Sequence, residues 1–288
     1  MSRRRPRLLP IVVASAVVVG LVASACGDDR TDVAVGGPAA PDPDAAVLVI
    51  ETGGGFTTPE WSFRTLPTLA VYADGRAVSL GAQIMIYPGA ALPPLFVAPL
   101  DDEGLAGVVD AARRAGLDTA DVDYGSPPVA DVPATVVTVV IDGVTYVHRI
   151  EALGFDDDPS LTPEQQAARI AVGEFIAATS DLRSLVGAEH VGPDEPYVAE
   201  RFRLWVRPAA EADVGTDGGI EPTVVPWTVD GVTLAVSPCL PVEGVEAQQV
   251  GALLAEANEL TRFAAGGQTW AVTARPVLPH EPTCPADG

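Results

Sequence analysis

Val137-Thr-Val-Val-Ile-Asp-Gly-Val-Thr-Tyr-Val-His148 decides the fold class. Two β-rich runs meet at Asp142-Gly143, and Asp-Gly between such runs is the strongest short-range hairpin signal, because a two-residue turn asks both residues for positive φ. The turn sets Ile141 opposite Val144, Val139 opposite Tyr146 and Val137 opposite His148. The apolar side chains then share one face, as a half-buried antiparallel pair requires. Two more Asp-Gly pairs extend the pattern. With Asp74-Gly75 as a two-residue turn, Val71 faces Val78 and Leu69 faces Leu80. With Asp230-Gly231, Val229 faces Val232, Trp227 faces Leu234 and Val225 faces Val236, leaving Thr228 and Thr233 on the other face.

Three helices separate these hairpins. The first starts near Asp101-Asp102, whose carboxylates suit a helix N-terminus, buries Leu105, Val108, Val109 and Ala112, and stops at Gly116. The second has Thr162 as cap, Pro163 in the first turn and Gln165 completing a capping box. It runs through Ile170, Phe175 and Ile176 and continues, with a bend, to Leu185. The third lines up Val250, Leu253, Leu254 and Ala257 and ends before Gly266-Gly267, ahead of a last strand, Thr269–Ala274. This order is an α+β fold with mainly antiparallel sheets built from hairpins. Residues 47–158 and 195–288 read as two similar α+β units, each a hairpin, a helix and a returning strand, with 159–194 as a connecting helix.

The N-terminus has the plan of an export signal. Arg3, Arg4, Arg5 and Arg7 precede an apolar run from Leu8 to Val22, and Ala23-Ser-Ala-Cys26 follows. This end resembles the lipobox of bacterial lipoproteins, in which the cysteine thiol receives a diacylglycerol and becomes the first residue. Ala23 departs from the leucine or valine usual there. A plain signal peptide or an uncleaved anchor is the alternative, but about 15 apolar residues are short for a spanning helix. Ser2-Arg-Arg4 lacks the apolar pair of a twin-arginine signal, which favours the general export route. Residues 1–25 are therefore read as signal peptide. Residues 26–46 are polar and rich in Gly and Pro, and read as a disordered tether.

Four of the 17 arginines precede Cys26 and all 39 acidic residues follow it, so cleavage leaves 13 cationic side chains and a net charge of −26. That field repels nucleic acid and anionic lipid headgroups, and both are discounted as partners. With Cys26 taken by lipid, Cys239 and Cys284 remain as a disulfide pair in an oxidising compartment. Val71-Tyr-Ala-Asp-Gly-Arg76, Tyr124-Gly-Ser-Pro-Pro128 and Arg275-Pro-Val-Leu-Pro279, with the late cysteines, resemble a recurrent group of uncharacterised actinobacterial lipoproteins. The resemblance implies lineage and export and carries no catalytic residues.

The chain contains no lysine. That excludes a Ser-x-x-Lys nucleophile, a Walker A phosphate loop and a Schiff base. No Gly-x-Ser-x-Gly or His-Glu-x-x-His occurs, and no motif calls for a cofactor or metal. Of three histidines, His148 falls on the apolar face of its hairpin, where packing is expected over base catalysis. His190 follows a helix, where a cation suits the dipole, and His280 lies in the tail. Asp156-Asp-Asp158 reads as a solvated turn before the second helix. Trp61, beside Gly53-Gly-Gly55, is the tryptophan expected to be exposed. Trp61 and His148 are the candidate ligand contacts. These features point to a lipoprotein held on the outer face of the cell membrane through acylated Cys26, a non-catalytic module for an envelope protein or small ligand. The alternative is an envelope hydrolase with a noncontiguous carboxylate or Ser-His-Asp site.

Overall fold

The computed structural model describes residues 42–84, 86–212 and 219–285. The signal segment 1–25, Cys26 and the tether as far as Pro41 lie outside the described residues. The strands and helices, in chain order, are β1 (Ala46–Gly53), α1 (Pro59–Arg64), β2 (Leu69–Tyr72), β3 (Arg76–Leu80), β4 (Leu95–Pro99), α2 (Asp102–Arg114), β5 (Ala134–Ile141), β6 (Val144–Glu151), α3 (Pro163–Thr179), α4 (Leu182–Val186), β7 (Glu195–Pro196), β8 (Arg201–Pro208), α5 (Ala209–Ala212), β9 (Val224–Pro226), β10 (Ser237–Glu243), α6 (Gly244–Ala255), β11 (Arg262–Ala265) and β12 (Gln268–Pro276). They form a seven-stranded sheet, β6-β5-β1-β2-β3-β4-β7, and a five-stranded sheet, β10-β8-β12-β11-β9. The only parallel neighbours among the described strands are β9 and β11. The α+β class and antiparallel character read from the sequence are present. The short helices α1, α4 and α5 were not anticipated as separate elements.

The β5–β6 hairpin has the expected register, with Ile141↔Val144, Val139↔Tyr146 and Val137↔His148. Asp142 and Gly143 take φ of 52° and 77°, the double positive that a two-residue turn demands. The Asp74-Gly75 hairpin forms one residue out of the expected register. Leu69 pairs with Ser79, Ala70 with Val78 and Val71 with Ala77. The loop is three residues, Ala73-Asp74-Gly75, with Gly75 N donating to Tyr72 O at 3.0 Å and Gly75 alone at positive φ, 87°. This is the turn-plus-left-handed-glycine form. The alternation argument failed because it needs one wet face, and β2 has none: Leu69 and Val71 enter one core, Ala70 and Tyr72 another.

The Asp230-Gly231 hairpin is not formed. The pair makes a turn, but β9 runs parallel to β11 and β10 pairs with β8. Pro226 and Pro238 remove ladder donors from both flanks, and long-range pairing claims the rest. Trp227 Nε1 instead donates to Val232 O at 2.9 Å. Val229 and Leu234 reach the core expected of them, without a ladder.

On one face of the large sheet, α2 and α3 bury Val108, Ala111, Ala112, Val172 and Phe175 against Leu48, Ile50, Val137 and Val139. Asp101 caps α2, its Oδ1 accepting from Gly104 N at 2.8 Å. Thr162 and Gln165 form the expected capping box of α3. The long second helix breaks at Ser180-Asp181, where Asp181 caps α4 by accepting from Ser184 N. Ile170, expected on the buried stripe, is half exposed, and Arg169 takes the buried position beside it. On the smaller sheet, β8 alternates: Phe202, Leu204 and Val206 pack with Val250 and Leu254 of α6, while Arg203 and Arg207 belong to the opposite face with Trp205. The C-terminal tail joins the two sheets. Leu278 enters a core with Ala70, Tyr72 and Val78, and Cys239–Cys284 bonds the tail to β10 as expected.

Candidate functional site

Antiparallel pairing fixes which loops share an end of the large sheet. Gly53 of β1, Leu69 of β2 and Leu80 of β3 fall at the same end. Two loops leave there from strands two apart, roughly 10 Å by ordinary sheet spacing. The first carries Gly53-Gly-Gly55 and Phe56 into α1. Gly55 sits at positive φ, and a Cβ there would lie 2.9 Å from Asp131 O, so glycine lets the loop lie against its neighbour. Thr58 caps α1 by accepting from Trp61 N at 3.2 Å. The second loop, 81–94, contains Ile84, Ile86 and Tyr87, and Arg64 of α1 donates to Ala90 O and Ala91 O within it.

These loops hold large apolar side chains in water. Phe56 is 89% exposed, Ile84 79%, Trp61 65%, Ile86 62% and Tyr87 56%. The sequence from Ala77 to Leu100 contains no Asp, Glu, Lys, Arg or His, and neither does 52–59, although the chain as a whole is 19% charged. Two nearby carboxylates are paired, Glu60 with Arg207 and Glu259 with Arg64, while Glu51 at the end of β1 is exposed. Trp61 was legible in advance as an exposed aromatic. Phe56, Ile84, Ile86 and Tyr87 were missed, and the 24-residue uncharged run was the signal that could have found them.

Behind α1, the second sheet presents cations to aromatic faces. Arg203 stands over Phe63 at 5.2 Å and Arg207 over Trp205 at 4.1 Å. The Nε atoms of both arginines are buried without a hydrogen-bond partner. Burial, and then the charge of Arg275, push Arg203 down to about 10. These contacts fix α1 on a rigid support.

His148 does not join Trp61. It is 3% exposed, with Nε2 3.1 Å from Leu117 O and Nδ1 2.8 Å from the Tyr124 hydroxyl. A carbonyl only accepts, so Nε2 carries the proton and Nδ1 accepts from Tyr124. Both nitrogens are committed, and His148 is a core residue rather than a ligand contact. Burial pushes the Tyr124 hydroxyl up to about 12. His190 was expected to answer a helix C-terminus. Its Nδ1 instead lies 3.0 Å from Asp101 Oδ2 at the start of α2, with Glu103 beyond, and this raises its pKa. His280 Nδ1 lies 2.9 Å from Tyr72 Oη, where burial lowers its pKa. The three histidines therefore serve three separate places.

Asp156 Oδ1 accepts from Arg169 Nε at 2.8 Å, and Asp158 Oδ1 caps a turn at Ser160 N, so the acidic run is a turn before α3. Arg169 also donates to the carbonyls of Tyr124, Glu151 and Ala152 with no side-chain exposure. Helical spacing gave no hint of this buried cation. No described helix is long and apolar enough to cross a membrane. The chain matches no protein-family model, no curated protein and no solved structure.

Proposed function

We propose that this chain is an extracytoplasmic lipoprotein, acylated on Cys26, whose folded body is a binding module working through the uncharged end of its large sheet. The observation that carries the proposal is that Phe56, Trp61, Ile84, Ile86 and Tyr87 are each more than half exposed in the two loop regions at this end, all but Trp61 in segments without a charged side chain. Exposing large apolar groups costs solubility, and contiguous patches of them mark interaction surfaces. The lipobox-like Ala23-Ser-Ala-Cys26 supports the anchor, and two acyl chains give stable membrane attachment where one does not. Binding is favoured over catalysis because each histidine is held by a structural partner: His148 by Tyr124 and Leu117, His190 by Asp101, His280 by Tyr72.

Two measurements test the two halves. In a host that lipidates exported proteins, Cys26→Ala should release the chain from the membrane fraction and remove the acyl mass from its N-terminus. A photo-crosslinker at Tyr87 should give defined adducts in intact envelopes, and these should vanish in an Ile84→Asp/Ile86→Asp variant. Membrane retention of Cys26→Ala with an unmodified mass would refute the anchor. Adducts indifferent to the aspartates would refute the binding surface.

A further inference from the structure

We infer that the occupant of this end is the surface of a lipid bilayer: Ile84, Ile86 and Phe56 enter the acyl boundary, and Trp61 and Tyr87 lie at headgroup level. The assignment rests on the binding-surface proposal above and names what is bound.

Shape favours lipid over a protein groove. Side chains 56–89% exposed stand out from the loops instead of lining a wall, and Ile86 N donates to Ile84 O at 2.9 Å. A leaflet accepts such projections without matching relief. Composition agrees, because aliphatic tips flanked by Trp and Tyr suit the boundary between hydrocarbon and water.

Charge removes the obvious objection. A body this acidic should be repelled by a membrane, yet the loops themselves are uncharged and the carboxylates of Glu60 and Glu259 are paired with arginine. Glu51 and Asp131 are exposed near the first loop, and exposed charges are screened beyond roughly 8 Å at physiological salt.

The length of the preceding chain also fits. The polypeptide enters the fold at Ala46, at the far end of β1 from Gly53. Eight residues of strand span about 26 Å. The 20 residues from Cys26 to Ala45 can reach at most about 70 Å. That length lets a lipid on Cys26 and the loops 53–58 and 81–88 reach one leaflet together.

Residues 41–288 form one compact unit, so the body can be made without the signal, the lipid and the tether. Flotation with vesicles of uncharged phosphatidylcholine is the direct test. The body should float with the vesicles, and Ile84→Asp/Ile86→Asp should weaken partitioning at least tenfold while leaving the melting temperature unchanged. Brominated acyl chains should quench wild-type fluorescence, and Trp61→Phe should abolish that quenching while the other three tryptophans remain. A wild-type body that stays unbound, or binding unaffected by the two aspartates, overturns the assignment. If the body ignores vesicles while the Tyr87 adducts in envelopes still depend on Ile84 and Ile86, the occupant is a protein. The binding surface then stands without the lipid.

Discussion

Arg275 and Glu281 face each other through two hydrogen bonds, Nη1 to Oε2 at 2.8 Å and Nη2 to Oε1 at 2.6 Å, six residues apart in the C-terminal tail. The same guanidinium donates from Nε to Thr65 O at 2.7 Å, so one buried cation ties β12, the tail and the end of α1 together. Breaking a buried pair from one side leaves an uncompensated charge. Glu281→Gln should therefore destabilise the fold by about 3 kcal/mol in denaturant melts, and a cost under ~1 kcal/mol would show the pair to be idle.

The same pair sets a pH dependence. Burial raises the Glu281 carboxyl, but the bonds and charge of Arg275 outweigh it and leave the group below the ordinary carboxylate range. A depressed folded value contributes stability above the unfolded value, near pH 4.3, and loses it as pH falls through the folded one. Acid unfolding of wild type should steepen below about pH 4.5. In Glu281→Gln that component should be missing.

His190 and His280 should titrate in opposite senses. Hydrogen bonding by Asp101 raises His190, so its contribution is present below about pH 6.5 and lost as pH rises through the folded value. Burial lowers His280, so its contribution is present above about pH 6.5 and lost as pH falls. Ring-proton titrations by NMR should place the two on either side of the ordinary value. Asp101→Asn should bring His190 back toward it without moving His280.

The Cys239–Cys284 bond closes a 45-residue separation. The chain-entropy estimate for such a loop is about 4 kcal/mol. Cys239→Ser/Cys284→Ser should lose roughly that much and loosen the tail, seen as faster amide exchange around Leu278 and at Tyr72. Unchanged exchange there would mean that Arg201 and Arg275 hold the tail without the disulfide.

Two glycines at positive φ separate backbone strain from crowding. At Gly143 a Cβ would meet nothing within 4 Å, and Gly143→Ala should cost about 1 kcal/mol, the left-handed penalty alone. At Gly75 a Cβ would sit 2.3 Å from Leu100 O, which the fold cannot move without opening β3 and β4. Gly75→Ala should cost about 3 kcal/mol or more, and equal melting temperatures for the two variants would contradict this.

Local chemistry was legible wherever its partners lay a few residues away. Asp142-Gly143, the Thr162–Gln165 capping box and the Asp101 cap are each complete within a single turn, and each formed as expected. Elements whose partners are distant were not legible. Asp230-Gly231 carries the same local signal as Asp142-Gly143, yet β11 and β8 compete for its flanks and win. The Asp74-Gly75 register slipped because burial on both faces removed the amphipathic pattern that would have fixed it.

The sequence by itself determined the α+β class, the pairing of Cys239 with Cys284 and the exposure of Trp61, because composition, cysteine number and turn residues act locally or by elimination. Only the tertiary structure decided that His148 is sealed by Tyr124 and Leu117, and that the exposed Phe56, Ile84, Ile86 and Tyr87 belong to loops leaving one end of the large sheet. Burial and convergence depend on which strands become neighbours, and antiparallel order brings β1 and β3 loops together from positions about 30 residues apart. No window along the chain contains that information.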